Sequence, residues 1–171
     1  MRRFILAATA AYALAACAQT APAGESESPA GNKVETSGKT EVPLAQVPAE
    51  VLAAAASAQP GFTPAEAEAE TRDGRRYFDV GGKVADGSEV EFDIMEEGGR
   101  WRVVETQRDI QLAAAPEAVR KAAGSFPAGR VIESRQGDGL VIYELYDAKQ
   151  SKLEIKWDGK AAEVLTREWV H

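Results

Sequence analysis

Residues 63–71 read Thr-Pro-Ala-Glu-Ala-Glu-Ala-Glu-Thr, and the composition and the pattern of this stretch disagree. Alanine and glutamate are strong helix formers, yet strict alternation would scatter Ala65, Ala67 and Ala69 around a helix instead of along one stripe. The same alternation puts the three alanines on one side of a strand and Glu66, Glu68 and Glu70 on the other. An internal repeat favours the strand. At an offset of about 65 residues Ala65 to Thr71 lie over residues 130–136, Arg-Val-Ile-Glu-Ser-Arg-Gln, where Val131 and Ile132 are β-branched.

The repeat extends in both directions. Val47-Pro48-Ala49-Glu50-Val51 recurs as Ala115-Pro116-Glu117-Ala118-Val119, each placing proline in the first turn of a helix, where its missing N–H is tolerated. Residues 52–58 and 120–124 continue these helices, and Pro60 and Pro127 stop them. Asp73-Gly74 matches Asp138-Gly139, and Phe78-Asp79-Val80 matches Tyr143-Glu144-Leu145. Val90-Glu91-Phe92-Asp93-Ile94 matches Leu153-Glu154-Ile155-Lys156-Trp157, and Val104-Glu105-Thr106 matches Val164-Leu165-Thr166. Asp-Gly and Gly-Gly pairs at 73–74, 86–87, 98–99, 138–139 and 158–159 supply hairpin turns.

The expected fold class is therefore α+β: tandem repeats of a helix followed by antiparallel strands, over residues 43–110 and 111–171, with the helices packed on one face of the sheet or sheets. Phe78, Val80, Val90, Phe92, Ile94, Tyr143, Leu145, Leu153, Ile155 and Trp157 belong to the covered face by alternation. Asp79, Glu91, Asp93, Glu144, Glu154 and Lys156 point the other way.

Val47, Pro48 and Val51 at the helix start, Phe126-Pro127 after the second helix, and the triplets at 78–80 and 143–145 together resemble the PepSY-like family. That family is related in architecture to the β-lactamase-inhibitor-protein fold. The resemblance covers nearly all of residues 43–171. It implies an exported protein that inhibits or regulates proteins such as peptidases, or binds a small ligand, and it carries no catalytic residues over. The first repeat departs from the pattern with Gln59-Pro60-Gly61-Phe62, and Gly81-Gly82 falls inside a strand as a bulge would.

Ahead of this region, Arg2 and Arg3 precede an apolar run at residues 4–13 that is too short to span a bilayer. Basic residues followed by a short apolar run form an export signal. Leu14-Ala15-Ala16-Cys17 resembles a bacterial lipobox, which implies that residues 1–16 are removed and that Cys17 is lipidated. Ala18 in place of aspartate implies sorting to the outer membrane, facing the periplasm, with the inner membrane as the alternative. Residues 17–42 are poor in large apolar side chains and read as a flexible tether. Loss of Arg2 and Arg3 with the leader takes the net charge from −7 to −9, and without a basic stripe the chain is no nucleic-acid binder.

The only histidine is His171 and the only cysteine Cys17, which leaves no catalytic triad and no His-rich metal set. No enzyme activity and no cofactor are expected. What remains lies on the open sheet face. Asp79, Glu91, Glu144 and Glu154 form a carboxylate strip suited to a basic partner or to Ca²⁺, although no Asp-x-Asp calcium loop is present. Tyr77, Ile142 and Tyr146 fall on the same face and offer apolar area to a partner. The chain thus reads as a non-catalytic, periplasm-facing lipoprotein that binds, regulates or inhibits an envelope protein or peptide. The alternatives are a small-ligand or cation sensor using the acidic strip, and a structural envelope lipoprotein.

Overall fold

The computed structural model describes residues 38–167 and 169. The leader at 1–16, Cys17, the tether as far as residue 37, and His171 lie outside them. Residues 63–71 are strand, as their alternation requires, within β2 (Thr63–Arg72). Before it come β1 (Thr40–Glu41) and α1 (Ala49–Ala58); after it come β3 (Arg75–Lys83), β4 (Glu89–Glu97) and β5 (Arg100–Ile110). The chain continues through α2 (Glu117–Ala123), β6 (Arg130–Gln136), β7 (Val141–Tyr146), β8 (Lys152–Trp157) and β9 (Ala162–Val164).

The expected α+β class, with tandem helix-then-strand repeats, is corrected by this topology. Strands make up 48% of the described residues and helical turns 18%, and the nine strands form one sheet in chain order, β1 to β9, with every pair antiparallel. The ladder does not pause at residues 110–111: β5 pairs with β6, Ile110 opposite Val131 and Glu105 opposite Gln136. The segment carrying α2 is thus a connection between two hydrogen-bonded neighbours. Its helix has seven residues and α1 has ten, so each makes two or three turns and covers only part of the sheet. The molecule is an antiparallel meander with two helical connections.

Each helix presents two buried side chains at i, i+4 spacing, Val51 and Ala55 in α1, Val119 and Ala123 in α2. Val51 and Ala55 pack with Phe78, Val80, Phe92 and Ile94; Val119 and Ala123 pack with Val131, Tyr143, Leu145 and Ile155. Trp101 joins the first cluster with its ring edge-on to Phe78 at 5.3 Å, and Trp157 lies against the second. Between the two clusters the covered face turns polar around Glu133, which is 4% exposed. Arg108 and Arg135 each donate to its Oε1 from 2.8 Å, and the Tyr143 hydroxyl donates to Oε2 at 2.9 Å. Burial opposes the Glu133 charge, but these donors outweigh it and hold the carboxyl below its ordinary pKa, while Tyr143 is pushed up by burial and by Glu133.

Gly81 and Gly82 lie within β3, and the irregularity falls opposite them, where β2 shifts register between Pro64 and Glu66. The two glycines have different reasons. A Cβ on Gly82 would sit 2.2 Å from the Thr63 carbonyl oxygen and 2.8 Å from the Phe62 ring. The nearest atoms that a Cβ on Gly81 would meet belong to the Glu66 side chain, at 3.0 Å. A second register shift, between Asp93 and Ile94, accommodates Val104 of β5.

Gly82→Ala is expected to cost about 3 kcal/mol in urea unfolding and Gly81→Ala less than about 1 kcal/mol, because only the former meets backbone and a packed ring. Glu133→Gln is expected to cost about 2 kcal/mol through its two arginines and Tyr143. The Glu133 contribution is complete above its unfolded pKa and is lost as pH falls through its lower folded value. The Gln variant should therefore lose less stability than the parent over that acid range.

Candidate functional site

Alternation that sends Phe78 and Val80 to the covered face sends Tyr77, Asp79 and Gly81 to the other. Along β2 the same parity brings Glu66, Glu68, Glu70 and Arg72 to that side. Cross-strand pairing then aligns a row of carboxylates: Glu68 is opposite Asp79, Asp79 opposite Asp93, and Asp93 opposite Glu105. Asp79 and Asp93 are 6% exposed and Glu105 2%, so these three are withdrawn from water, while Glu68 at the end of the row is half-exposed. Like charges directly opposite each other destabilise a sheet, and two cations offset them.

Arg72 Nη2 lies 2.6 Å from Asp93 Oδ2 and 3.8 Å from Asp79 Oδ1, while its Nε pairs with Glu70 and its guanidinium stacks over the Tyr77 ring at 4.1 Å. Lys39 Nζ lies 2.5 Å from Asp79 Oδ2 and 3.8 Å from Glu68 Oε2. Burial opposes the charge on both cations, but the surrounding carboxylates outweigh it and raise their pKa values. Glu105 accepts hydrogen bonds from Ser134 and from Gln107, the latter at 3.0 Å. Asp93 Oδ1 meets no hydrogen-bond donor among the described residues. Burial, then the charge of Asp79, pushes the Asp93 carboxyl up to about 7 against the pull of Arg72. Glu91 is raised by the same two causes in the same order.

Two adjoining clefts open on this face. One, of about 280 Å³, is lined by Glu41, Glu66, Ala67, Glu68, Asp79, Gly81 and Glu91. The other, of about 300 Å³, shares Glu66, Gly81 and Glu91 and continues over Gln107 toward Asp109, Arg130 and Ile132. Gly81 contributes no side chain, which lets the Glu66 side chain lie against the β3 backbone there, within 3.0 Å of where a Cβ would stand. Among the described residues, no group of three or more His, Cys, Asp or Glu side chains is arranged to hold a metal ion.

Asp79 and Glu91, expected as partner-binding residues, are thus brought together in one trough. Glu144 and Glu154 are directly opposite each other on β7 and β8, about 14 Å away by the spacing of the strands between. There Glu154 is 6% exposed, held by Lys152 Nζ at 2.9 Å and by the Trp169 backbone N–H at 2.8 Å. Tyr146, half-buried, donates to Glu144 Oε2 at 2.5 Å, and burial followed by that bond pushes it up to about 12.

Tyr77 and Ile142 do lie on the face away from the helices, but they are 9% and 0% exposed. Of the apolar strip expected there, Tyr77 and Ile142 are closed off and Tyr146 alone is partly exposed. Lys39, Arg72 and Glu105 escaped the sequence reading. Arg72 was legible, sharing the parity of Glu66, Glu68 and Glu70; Lys39 carried no signal, since it falls in the stretch read as tether.

Asp93 yields a pH dependence of opposite sign to that of Glu133. Its folded pKa of about 7 lies above the ordinary aspartate value of 3.8, so between those values the folded state binds the extra proton. Stability contributed by Asp93 therefore falls as pH rises from about 4 to about 7 and levels off above. Denaturation curves at successive pH values should show that decline, and Asp93→Asn should reduce it, leaving the smaller part that Glu91 contributes with the same sign. No protein-family model matches the chain, and neither does any curated protein.

Proposed function

We propose that this chain is a non-catalytic binding module that receives a cationic segment of a protein or peptide in the acidic trough of its open sheet face. The observation that carries this is the charge of the 280 Å³ cleft: five of its seven lining residues are carboxylates and none is basic. Such a surface attracts lysine and arginine side chains and repels acidic ones, which supplies both encounter rate and selectivity. Organic cations suit it better than a metal ion, because Asp79 is already engaged by an ammonium group and Asp93 by a guanidinium.

The raised Asp93 carboxyl does not make this an acid–base centre. Asp93 is 6% exposed, and its Oδ1 is walled off from the cleft surface. A general acid must reach the atom it protonates. Asp93 instead tunes the charge of the row beside it.

With the module goes the remainder of the sequence reading: export by residues 1–16, a lipid anchor at Cys17, a periplasm-facing position at the outer membrane, and a tether that gives the domain reach. The inhibitory or regulatory role implied by the PepSY-like resemblance fits a domain that sequesters a basic segment.

Binding can be measured by fluorescence anisotropy with an alternating Thr-Lys peptide, which favours extended structure, against a Thr-Glu control. The Thr-Lys peptide is expected to bind, more weakly as salt is raised. Glu66→Gln with Glu91→Gln is expected to weaken it about tenfold, the equivalent of about 1.4 kcal/mol. Equal binding of both peptides, or indifference to the double substitution, would remove the trough as the site.

A further inference from the structure

We infer that Arg130, at the far end of the trough, reads a carboxylate on the bound segment. The preferred partner then carries a glutamate or aspartate two residues from the lysine or arginine received by Glu66 and Glu91. The inference rests on the proposed function and specifies the sequence class of the partner.

The first observation is the course of the two clefts. They share Glu66, Gly81 and Glu91, which lie in one cross-strand row, Glu66 opposite Gly81 and Gly81 opposite Glu91, with Gln107 opposite Glu91 on the next strand. Beyond Gln107 the 300 Å³ cleft continues to Asp109 and to Ile132, directly opposite it on β6. Arg130 is two residues from Ile132 and by alternation stands on the same face.

The second observation is that the charge changes along this course. At the far end of the 300 Å³ cleft Lys83 lies 3.6 Å from Glu89, and Arg130 lies 2.9 Å from Asp109. These pairs bring that end close to neutrality, whereas the 280 Å³ cleft has carboxylates and no basic lining residue. The third basic residue of the far cleft, Arg108, spends its charge on Glu133, 2.7 Å away on the covered face. A second cation placed beside Arg130 therefore gains less than the one received by Glu66 and Glu91.

The third observation is how Arg130 is held. Its Nε alone donates to Asp109, at 2.9 Å to Oδ1 and 3.2 Å to Oδ2, and among the described residues its two terminal amino groups make no hydrogen bond. Tyr146, opposite it on β7, commits its hydroxyl to Glu144 at 2.5 Å. Asp109 thus fixes the guanidinium from one side and leaves the fork that matches a carboxylate through two parallel bonds. The Arg130 side chain is 60% exposed, which puts that fork within reach of a bound chain. By the register, Asp109 lies one strand over and two residues along from Glu91, a separation on the order of 8 Å. Side chains at i and i+2 of an extended segment point the same way about 7 Å apart. A Lys-x-Glu or Arg-x-Asp triplet accordingly sets its cation at Glu66 and Glu91 and its carboxylate at Arg130.

The test is a double-mutant cycle on the full chain, read by fluorescence anisotropy. It uses the Thr-Lys peptide and two relatives in which the lysine nearest one end or the other is replaced by glutamate. The protein variant is Arg130→Gln, checked for folding by thermal melting; if it does not fold, Arg130→Lys, which keeps the charge and lacks the fork, takes its place in the cycle. For at least one of the two relatives, affinity relative to the Thr-Lys peptide is expected to be about fivefold higher in the parent than in the variant, the upper scale of one exposed ion pair. A relative affinity that is the same in parent and variant for both peptides overturns the reading by Arg130 and leaves the acidic trough standing as the site. Failure of the Thr-Lys peptide to bind the parent overturns the proposed function, and this inference with it.

Discussion

Period-two alternation along an unbroken ladder governs this molecule. Once Phe78 and Val80 commit to the helix-covered side, Asp79 between them faces the other side, and the ladder sets it beside Asp93 and, one strand on, Glu105. No strand can relieve that crowding alone, because a one-residue slip would bury the carboxylates among the apolar residues and expose Phe78. Relief is brought in sideways, by Arg72 from β2 and Lys39 from the chain just before β1. The acidic trough is a consequence of core formation that the edge of the sheet offsets only in part.

The two faces treat buried carboxylates in opposite ways. Glu133 and Asp93 are almost equally withdrawn from water, at 4% and 6% exposure. Glu133 gathers two guanidinium groups and a hydroxyl and holds its charge. Asp93 has one guanidinium set against the carboxylates of Asp79 and Glu105 and keeps its proton toward neutrality. The number and sign of the neighbours decide between these outcomes, since the degree of burial is nearly the same.

Much of the strand pattern was legible because alternation is a local signal. The strand at residues 63–72, the face carrying Asp79 and Glu91, and the turns at 73–74 and 98–99 all follow from it. The fold class did not follow. Proline-stopped, alanine-rich segments announce helices, but nothing local says that β5 and β6 pair across α2, which turns the helix into a connection. The burial of Ile142 was equally hidden. Its cross-strand neighbours are Ser134 and Lys156, and coverage on that face depends on how the sheet twists, to which the register shifts contribute. Lys39 belongs to a stretch whose composition says tether, and only its contact with Asp79 marks it out.

Strand order equal to chain order also shapes how the fold assembles. Every strand pairs with the one before it, so most closures are tight hairpins, and loop-closure entropy is concentrated at residues 42–62 and 111–129. Those two connections are the ones that carry α1 and α2, and a helix shortens the span the chain must bring together. Contacts this local lower the contact order below that of Greek-key sheets and favour rapid assembly. A chain emerging end first can add strands to a growing edge in order, without waiting for its last residues.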